Sequence, residues 1–203
     1  LHTAAHFGGG AGDTTDAMLL RDSEGQPFIP GASLAGALRG YLRHRTVGAL
    51  NSPLDQRERH ADLLSTLFGG REESPTRQTH DGAREDERTA EGFHSMLAVD
   101  DAFLSRDAKQ QTSVVLRDRV RIDPERRTAA DHGKFDYETL EPGAAFLVRL
   151  ELTLRAAHRD QHAELRRLFN ALLDALTARE VRLGAHTRRG LGGCAIERWS
   201  VLE

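Results

Sequence analysis

Cysteine is almost absent from this chain of 203 residues: Cys194 stands alone, so no disulfide can form within it. That scarcity fits a reducing, cytoplasmic setting better than a secreted scaffold. Lysine is nearly missing as well, occurring only at Lys109 and Lys134, and every other basic side chain is arginine. No stretch approaches the ~18 apolar residues of a membrane span, and no signal peptide opens the chain, so no membrane partner is expected. A net charge of −3 removes the global positive field that would by itself announce nucleic acid. The Lys-Ser/Thr of a Walker loop and the GxGxxG spacing of a dinucleotide fold are also lacking.

What is present is a polar but foldable composition, 38% hydrophobic and 29% charged, long enough for one large domain. The arginine preference suits bidentate phosphate contacts and base stacking, although a GC-rich coding bias produces the same preference. The start at Leu-His-Thr, without methionine, fits a module trimmed or cut from a longer protein.

Along the chain, residues 1–7 read as a strand end closed by a turn at Gly8–Gly10. Both prolines of Pro27-Phe28-Ile29-Pro30-Gly31 push their predecessors out of the helical region. Ser33 is then placed as N-cap of a helix over about 34–47, with Leu34, Leu38, Tyr41 and Leu42 on one face. Gly36 and Gly40 weaken that helix by roughly 1 kcal/mol each, which suggests a close backbone approach. A short helix is expected around Arg59–Phe68. The charged stretch 71–93, nearly free of large apolar groups, reads as a mobile insertion. Strands are expected at 95–100 and 112–122. A long one follows at 144–156, where Phe146, Val148, Leu150, Leu152 and Leu154 alternate at period two. Leu165, Leu168, Phe169, Leu172 and Leu176 mark the core face of a helix over about 160–178. Short strands at Glu180–Leu183 and Cys194–Leu202 bracket a Gly-rich loop. This order of elements predicts an α+β domain of ferredoxin-like arrangement.

Several motifs admit two readings. In GAHTRRGLGG (184–193) the glycines allow sharp bends that bring amides against a phosphodiester, and Arg188-Arg189 add charge; a solvated hairpin turn fits equally. The helix start at Gly31–Ser33 offers amides to an anion, with Arg39, Arg43 and Arg45 further along, or is simply a capped helix with a basic face. His158 and His162 have the i, i+4 spacing of zinc helices, but neither an adjacent Glu nor a third ligand accompanies them, and a solvated helix start is the better account. Cys194 reads as a small buried residue. Asp100-Asp101 are either paired carboxylates or strand-end turn residues. In HFGGGAGDTTDAMLLRD, the acids Asp13, Asp16 and Asp22 are interchangeable on pattern alone, since Asp is ordinary in Gly-rich turns.

The ordered set HFGGG, PFIPGASLAGALRGYLR, LFGG, SMLAVDDA, RDRVRIDPERRTAADHGKFDYETLEPGAAF and LGAHTRRGLGG resembles the RAMP (repeat-associated mysterious protein) superfamily. The likeness is greatest to the Csm-type backbone subunit of type III CRISPR effector complexes, and it spares only 71–93. The resemblance implies a single RAMP domain over 1–203 with a ferredoxin-like, RNA-recognition-like core. It also implies a thumb β-hairpin at about 120–138, with Arg126, Arg127 and His132 near its tip. Guide RNA would be held by Gly31, Ala32, Ser33, Arg39 and Arg43 and by His186, Thr187, Arg188, Arg189, Gly190 and Gly192. The implied partners are a CRISPR guide RNA, a target RNA, further copies of the chain or similar modules in a filament, and other type III effector subunits. The frame DAMLLRD carries the implied catalytic carboxylate to Asp16, with Asp13 as fallback. The implied reaction is metal-dependent cleavage of target RNA at a displaced nucleotide, using Mg²⁺ or another divalent cation at Asp16 and no organic cofactor. A carboxylate is a weak base, so a modest rate is expected.

Two departures weaken the likeness at the guide contacts: Ala32 and Ala35 replace a Ser and a Lys of the family's Pro-Gly-Ser-Ser-Leu-Lys-Gly. A binding-only RAMP scaffold is therefore the alternative reading. A guide-processing endoribonuclease, with His2 or His6 as catalytic histidine, is a third.

Overall fold

The apolar stripe near the C-terminus folds as its spacing dictates. Leu165, Leu168, Leu172 and Leu176 are all buried along one face of a helix over His162–Thr177, and Phe169 packs beside them. That helix, α4, ends where Glu180 N–H reaches back to the Ala175 carbonyl at 2.9 Å and Arg179 N–H to Leu176 at 3.4 Å. Arg179 takes the left-handed conformation (φ 63°) that usually belongs to glycine in such a terminus.

The computed structural model describes residues 1–12, 15–47, 54–71, 92–109 and 112–202. Before α4 the order is β1 (Gly8–Gly10), β2 (Met18–Leu19), β3 (Phe28–Ile29), α1 (Gly31–Leu42) and α2 (Leu54–Phe68). It continues with β4 (Gly70–Arg71), β5 (Gly92–Phe93), β6 (Leu97–Val99), β7 (Ala102–Leu104) and α3 (Arg106–Lys109). Last come β8 (Val114–Ile122), β9 (Ala129–Leu140), β10 (Phe146–Leu147) and β11 (Leu150–Leu152). The mixture of helices and strands is as expected. The strands pair antiparallel in small sheets: β1 with β2, β10-β7-β3, β11 with β6, β4 with β5, and β8 with β9. Helices α1, α2 and α4 pack their leucines together with Ile29, Met96, Leu97 and Leu104 in one core. No described helix is long and apolar enough to cross a membrane.

Several local expectations are corrected. Helix α1 begins two residues before Ser33, and Pro30 is its N-cap, with φ −60° and ψ 137°. Ser33 lies inside the first turn, where its N–H donates to the Pro30 carbonyl at 2.9 Å. The cap comes from far along the chain instead, because Gly31 N–H donates to Asp101 Oδ1 at 2.7 Å. The α-helix ends at Leu42, and a wider π-helical turn continues over Arg43–Val47. No close approach explains Gly36 or Gly40, since a β-carbon at either would meet open space. Helix α2 starts at Leu54, earlier than the apolar residues required.

The supposed turn Gly8–Gly10 is a strand, hydrogen-bonded to β2. The strand expected over 144–156 divides in two because its halves choose different partners: Phe146–Leu147 pairs with β7 and Leu150–Leu152 with β6. The segments at 180–183 and 194–202 form no strand beyond one bridge between Arg182 and Gly193. Strands β4 and β5 pair across the charged stretch 71–93, whose residues 72–91 lie outside the described residues, as does Asp13.

The longest pairing is the β8–β9 hairpin, from Val114↔Leu140 to Ile122↔Ala129. Its tip is closed by Asp123. The Asp123 carboxylate accepts from Glu125 and Arg126 N–H at 2.9 and 3.0 Å, its N–H donates to the Thr128 carbonyl at 2.8 Å, and its carbonyl accepts from Arg127 N–H at 2.8 Å. A bulge interrupts the register just below the tip, where His132 is left-handed (φ 53°) and Gly133 turns tightly against Ala130.

Candidate functional site

Strand β9 organises the region that holds most of the sequence-predicted residues. Alternation puts Asp136 and Glu138 on one face and Phe135, Tyr137 and Thr139 on the other. Both acids grip the segment from Asp16 to Arg21, which includes β2. Asp16 N–H donates to Asp136 Oδ1 at 2.9 Å, and Asp136 N–H donates to Asp16 Oδ2 at 2.9 Å. Glu138 N–H donates to the Ala17 carbonyl at 2.9 Å. Its carboxylate accepts from Leu19 N–H at 2.8 Å and binds the Arg21 guanidinium at 2.9 Å. Asp16 is therefore fixed to the hairpin strand while remaining exposed to solvent. Asp22 lies outside this arrangement. Its carboxylate accepts from Glu24 and Gln26 N–H in a tight turn.

On the opposite face, Tyr137 is 2% exposed and joins three segments of the chain. Its ring meets His6 edge-on at 5.7 Å and lies 5.2 Å from His186 in the Gly-rich loop. The Arg119 guanidinium sits 4.6 Å above it from β8, a cation–π arrangement. His6 is buried, and its Nδ1 pairs with the Glu138 carbonyl at 2.7 Å, which holds it away from solvent. Burial, reinforced by the Arg119 and Arg189 guanidiniums and by His6, holds His186 below the usual histidine range, so its imidazole favours the neutral form.

The Gly-rich loop is threaded onto the N-terminal segment. Ala185 N–H donates to His6, Gly192 N–H to Ala4, and Gly193 N–H to Thr3 Oγ1 at 2.9, 2.8 and 2.7 Å. Gly192 is buried with φ 78°, and a β-carbon there would lie 2.0 Å from the Leu183 carbonyl oxygen. Between these anchors a short turn over Thr187–Arg189 carries Arg188 and Arg189 outward, with His186 and Gly190 both left-handed on its flanks. Ala32, Ser33 and Arg39 are exposed on α1 and Arg43 on the π-helical turn after it, whereas Gly31 is buried with the Asp101 carboxylate at its amide.

The predicted residues thus fall into distinct groups. Asp16 is held along the edge of β9 through Asp136, whereas the Gly-rich loop meets β9 through Tyr137. Arg126, Arg127 and His132 lie toward the hairpin tip; at about 3.3 Å per residue, the turn at Thr128 stands roughly 25 Å along the strand from Asp136. Sequence reasoning missed Tyr137, Arg119, Asp136, Glu138 and the capping role of Asp101. The alternation in FDYE was the available signal, but nothing local says what each face touches.

Among the described residues no group of three or more His, Cys, Asp or Glu is placed to hold a metal ion. Asp16 offers one carboxylate, which suits a cation that takes its remaining ligands from a nucleic-acid phosphate. His162 Nε2 pairs with the Arg155 carbonyl at 2.9 Å. Cys194 is buried against the Val181 carbonyl, and burial pushes its thiol up, as befits a packing residue.

This architecture recurs among solved structures. One solved structure that shares the fold is a chain of the type III-B Cmr-beta complex in the apo state (TM-score 0.58, 15% identity, covering 95% of this chain and 92% of that one). Another is a chain of type III-B Cmr-beta bound to cognate target RNA (TM-score 0.56, 15% identity, 94% and 91% covered). No curated protein matches the sequence. The RAMP superfamily model matches residues 1–195, and the chain belongs to the RAMP superfamily.

Proposed function

We propose that this chain is a backbone subunit of a type III CRISPR ribonucleoprotein, binding guide RNA and cleaving the complementary target RNA at displaced nucleotides. The reading that organises the fold is a ferredoxin-like, RNA-recognition-like core with the β8–β9 hairpin as thumb. The observation that carries the proposal is the fastening of an exposed Asp16 to that hairpin. An element suited to splay one nucleotide from a duplex is thereby joined to a carboxylate. The similar complex solved with cognate target RNA supports the same class of ligand.

The chemistry follows from RNA itself. In a stacked A-form duplex each 2′-OH is held away from in-line attack on its own 3′-phosphate. Displacing a nucleotide allows alignment, and holding it there removes much of the entropic barrier. Asp16 accepts the 2′-OH proton as the O2′–P bond forms and the P–O5′ bond breaks; the departing O5′ takes a proton from water, and Asp16 returns its own to solvent, leaving a 2′,3′-cyclic phosphate and a 5′-hydroxyl. A divalent cation shared between Asp16 and the RNA phosphates would neutralise charge at the scissile phosphate. Arg188 and Arg189, outward on their turn, with Arg39 on α1 and Arg43 just past its end, serve the guide backbone, with Arg126, Arg127 and His132 toward the duplex. Further copies of the chain and other type III subunits complete a cytoplasmic filament.

The second reading is a scaffold that bends the duplex without cutting. It is favoured by the engagement of Asp16 Oδ2 with the Asp136 amide, which leaves only one oxygen of that carboxylate for a proton or a cation. Incubating the assembled complex with complementary RNA and Mg²⁺, wild type against Asp16→Ala, separates the two. Regularly spaced cuts that vanish in the variant support cleavage by Asp16. Unchanged cutting refutes that assignment, and binding by wild type without cutting leaves the scaffold.

A further inference from the structure

We infer that Asp136 is a positioning residue for Asp16, so that the placement of the Asp16 carboxylate follows the hairpin strand. The inference rests on the reading of Asp16 as the cleaving carboxylate. Its basis is the reciprocal pair in which each aspartate's N–H donates to the other's carboxylate, both at 2.9 Å, across 120 residues of sequence. One contact fixes the backbone of Asp16 and the other fixes its side chain. Oδ2 is occupied by the Asp136 amide, while Oδ1 has no protein partner among the described residues and faces solvent with an exposed side chain.

Neighbouring contacts separate this role from general support. The Ala17 carbonyl is held by Glu138 N–H, and Leu19 and Arg21 are held by the Glu138 carboxylate. The segment therefore stays attached to β9 without the Asp136 side chain. What that side chain alone supplies is an acceptor for the Asp16 amide, which sets the orientation of the residue. Its negative charge is not required for this, since an amide oxygen accepts the same N–H. Asp136 contributes geometry, and Asp16 contributes the proton acceptor.

The test compares wild type, Asp136→Ala and Asp136→Asn in the assembled guide-RNA complex, using hydrogen exchange at the Asp16 amide and the kinetics of target cleavage. In Asp136→Ala, exchange at Asp16 should accelerate about tenfold, the loss of one hydrogen bond of ordinary net strength. Its kcat should fall by up to about 100-fold, as for a misplaced reacting group, with KM within about twofold of wild type. Asp136→Asn should restore both readouts. Three results overturn the inference: Asp16 exchange indifferent to Asp136→Ala, alanine-variant cleavage at the wild-type rate, or an asparagine variant as slow as alanine, which would assign the Asp136 charge to the chemistry. A wild-type complex that never cuts overturns the functional reading instead, and exchange at Asp16 then still reports whether the contact exists.

Discussion

Two glycines of α1 should respond to the same substitution in opposite directions. A β-carbon at Gly31 would lie 2.2 Å from the Val99 carbonyl oxygen and 3.0–3.1 Å from the carbonyl of Asp100. Both obstacles are backbone at the end of β6, so neither can swing aside. Separating them to an ordinary contact of 3.4 Å or more moves the helix start from the strand by at least about 1 Å, an overpacking that costs about 1–3 kcal/mol. At Gly36 the β-carbon would enter open space on the exposed side of the same helix. There alanine gains about 1 kcal/mol from backbone entropy. The gap between Gly31→Ala and Gly36→Ala is therefore about 2–4 kcal/mol. At about 2–4 °C per kcal/mol for a chain of this length, it is a separation of roughly 4–16 °C in Tm. Thermal unfolding of the two variants beside wild type measures it directly. If both move Tm the same way, or if Gly31→Ala is neutral, the packing of α1 against β6 is wrongly described.

Other consequences are as direct. Glu138→Ala leaves the Leu19 amide without its acceptor beside a buried side chain and removes the Arg21 partner, so stability should fall by about 1–3 kcal/mol in denaturant unfolding. Because the folded state depresses the His186 pKa, the unfolded chain takes up that proton first as pH falls through the ordinary histidine range. Stability should decline there and recover at higher pH, and His186→Gln should flatten the profile in pH-dependent unfolding. If Arg188 and Arg189 each neutralise a guide phosphate, the double alanine variant should flatten the salt dependence of guide affinity by about 0.7 per lost contact in log–log form. An unchanged slope would remove them from the guide path.

How far the sequence foretells this fold depends on whether the controlling contact is local. Helix α4 is legible because its leucines repeat at the helical period and face one core. The start of α1 is not, because its cap is Asp101, which lies 70 residues away, while Ser33 offers a false local signal. The alternating run from Phe146 to Leu154 predicts extended backbone correctly, but not the change of partner between β10 and β11, since alternation is blind to pairing. Three consecutive glycines read as a turn, yet they form a strand that runs close to Leu20: a β-carbon at Gly9 would stand 3.0 Å from its backbone, tight enough that the neighbour must shift slightly. For the candidate site, resemblance singles out Asp16 from equivalent acids, and its tie to Asp136 is invisible to any local pattern.

If the hairpin is the thumb proposed above, its closed tip bears on how quickly a duplex can be engaged. With Asp123 already holding Glu125, Arg126, Arg127 and Thr128, the backbone beneath the two arginines is ordered before anything arrives. A flexible tip would surrender about 1–2 kcal/mol of conformational entropy per residue on docking. Here that loss is borne during folding, leaving mainly side-chain rotamers to settle on contact. Encounter at the tip should then be governed by diffusion and charge, and rate-limiting rearrangement, if present, belongs to the nucleic acid.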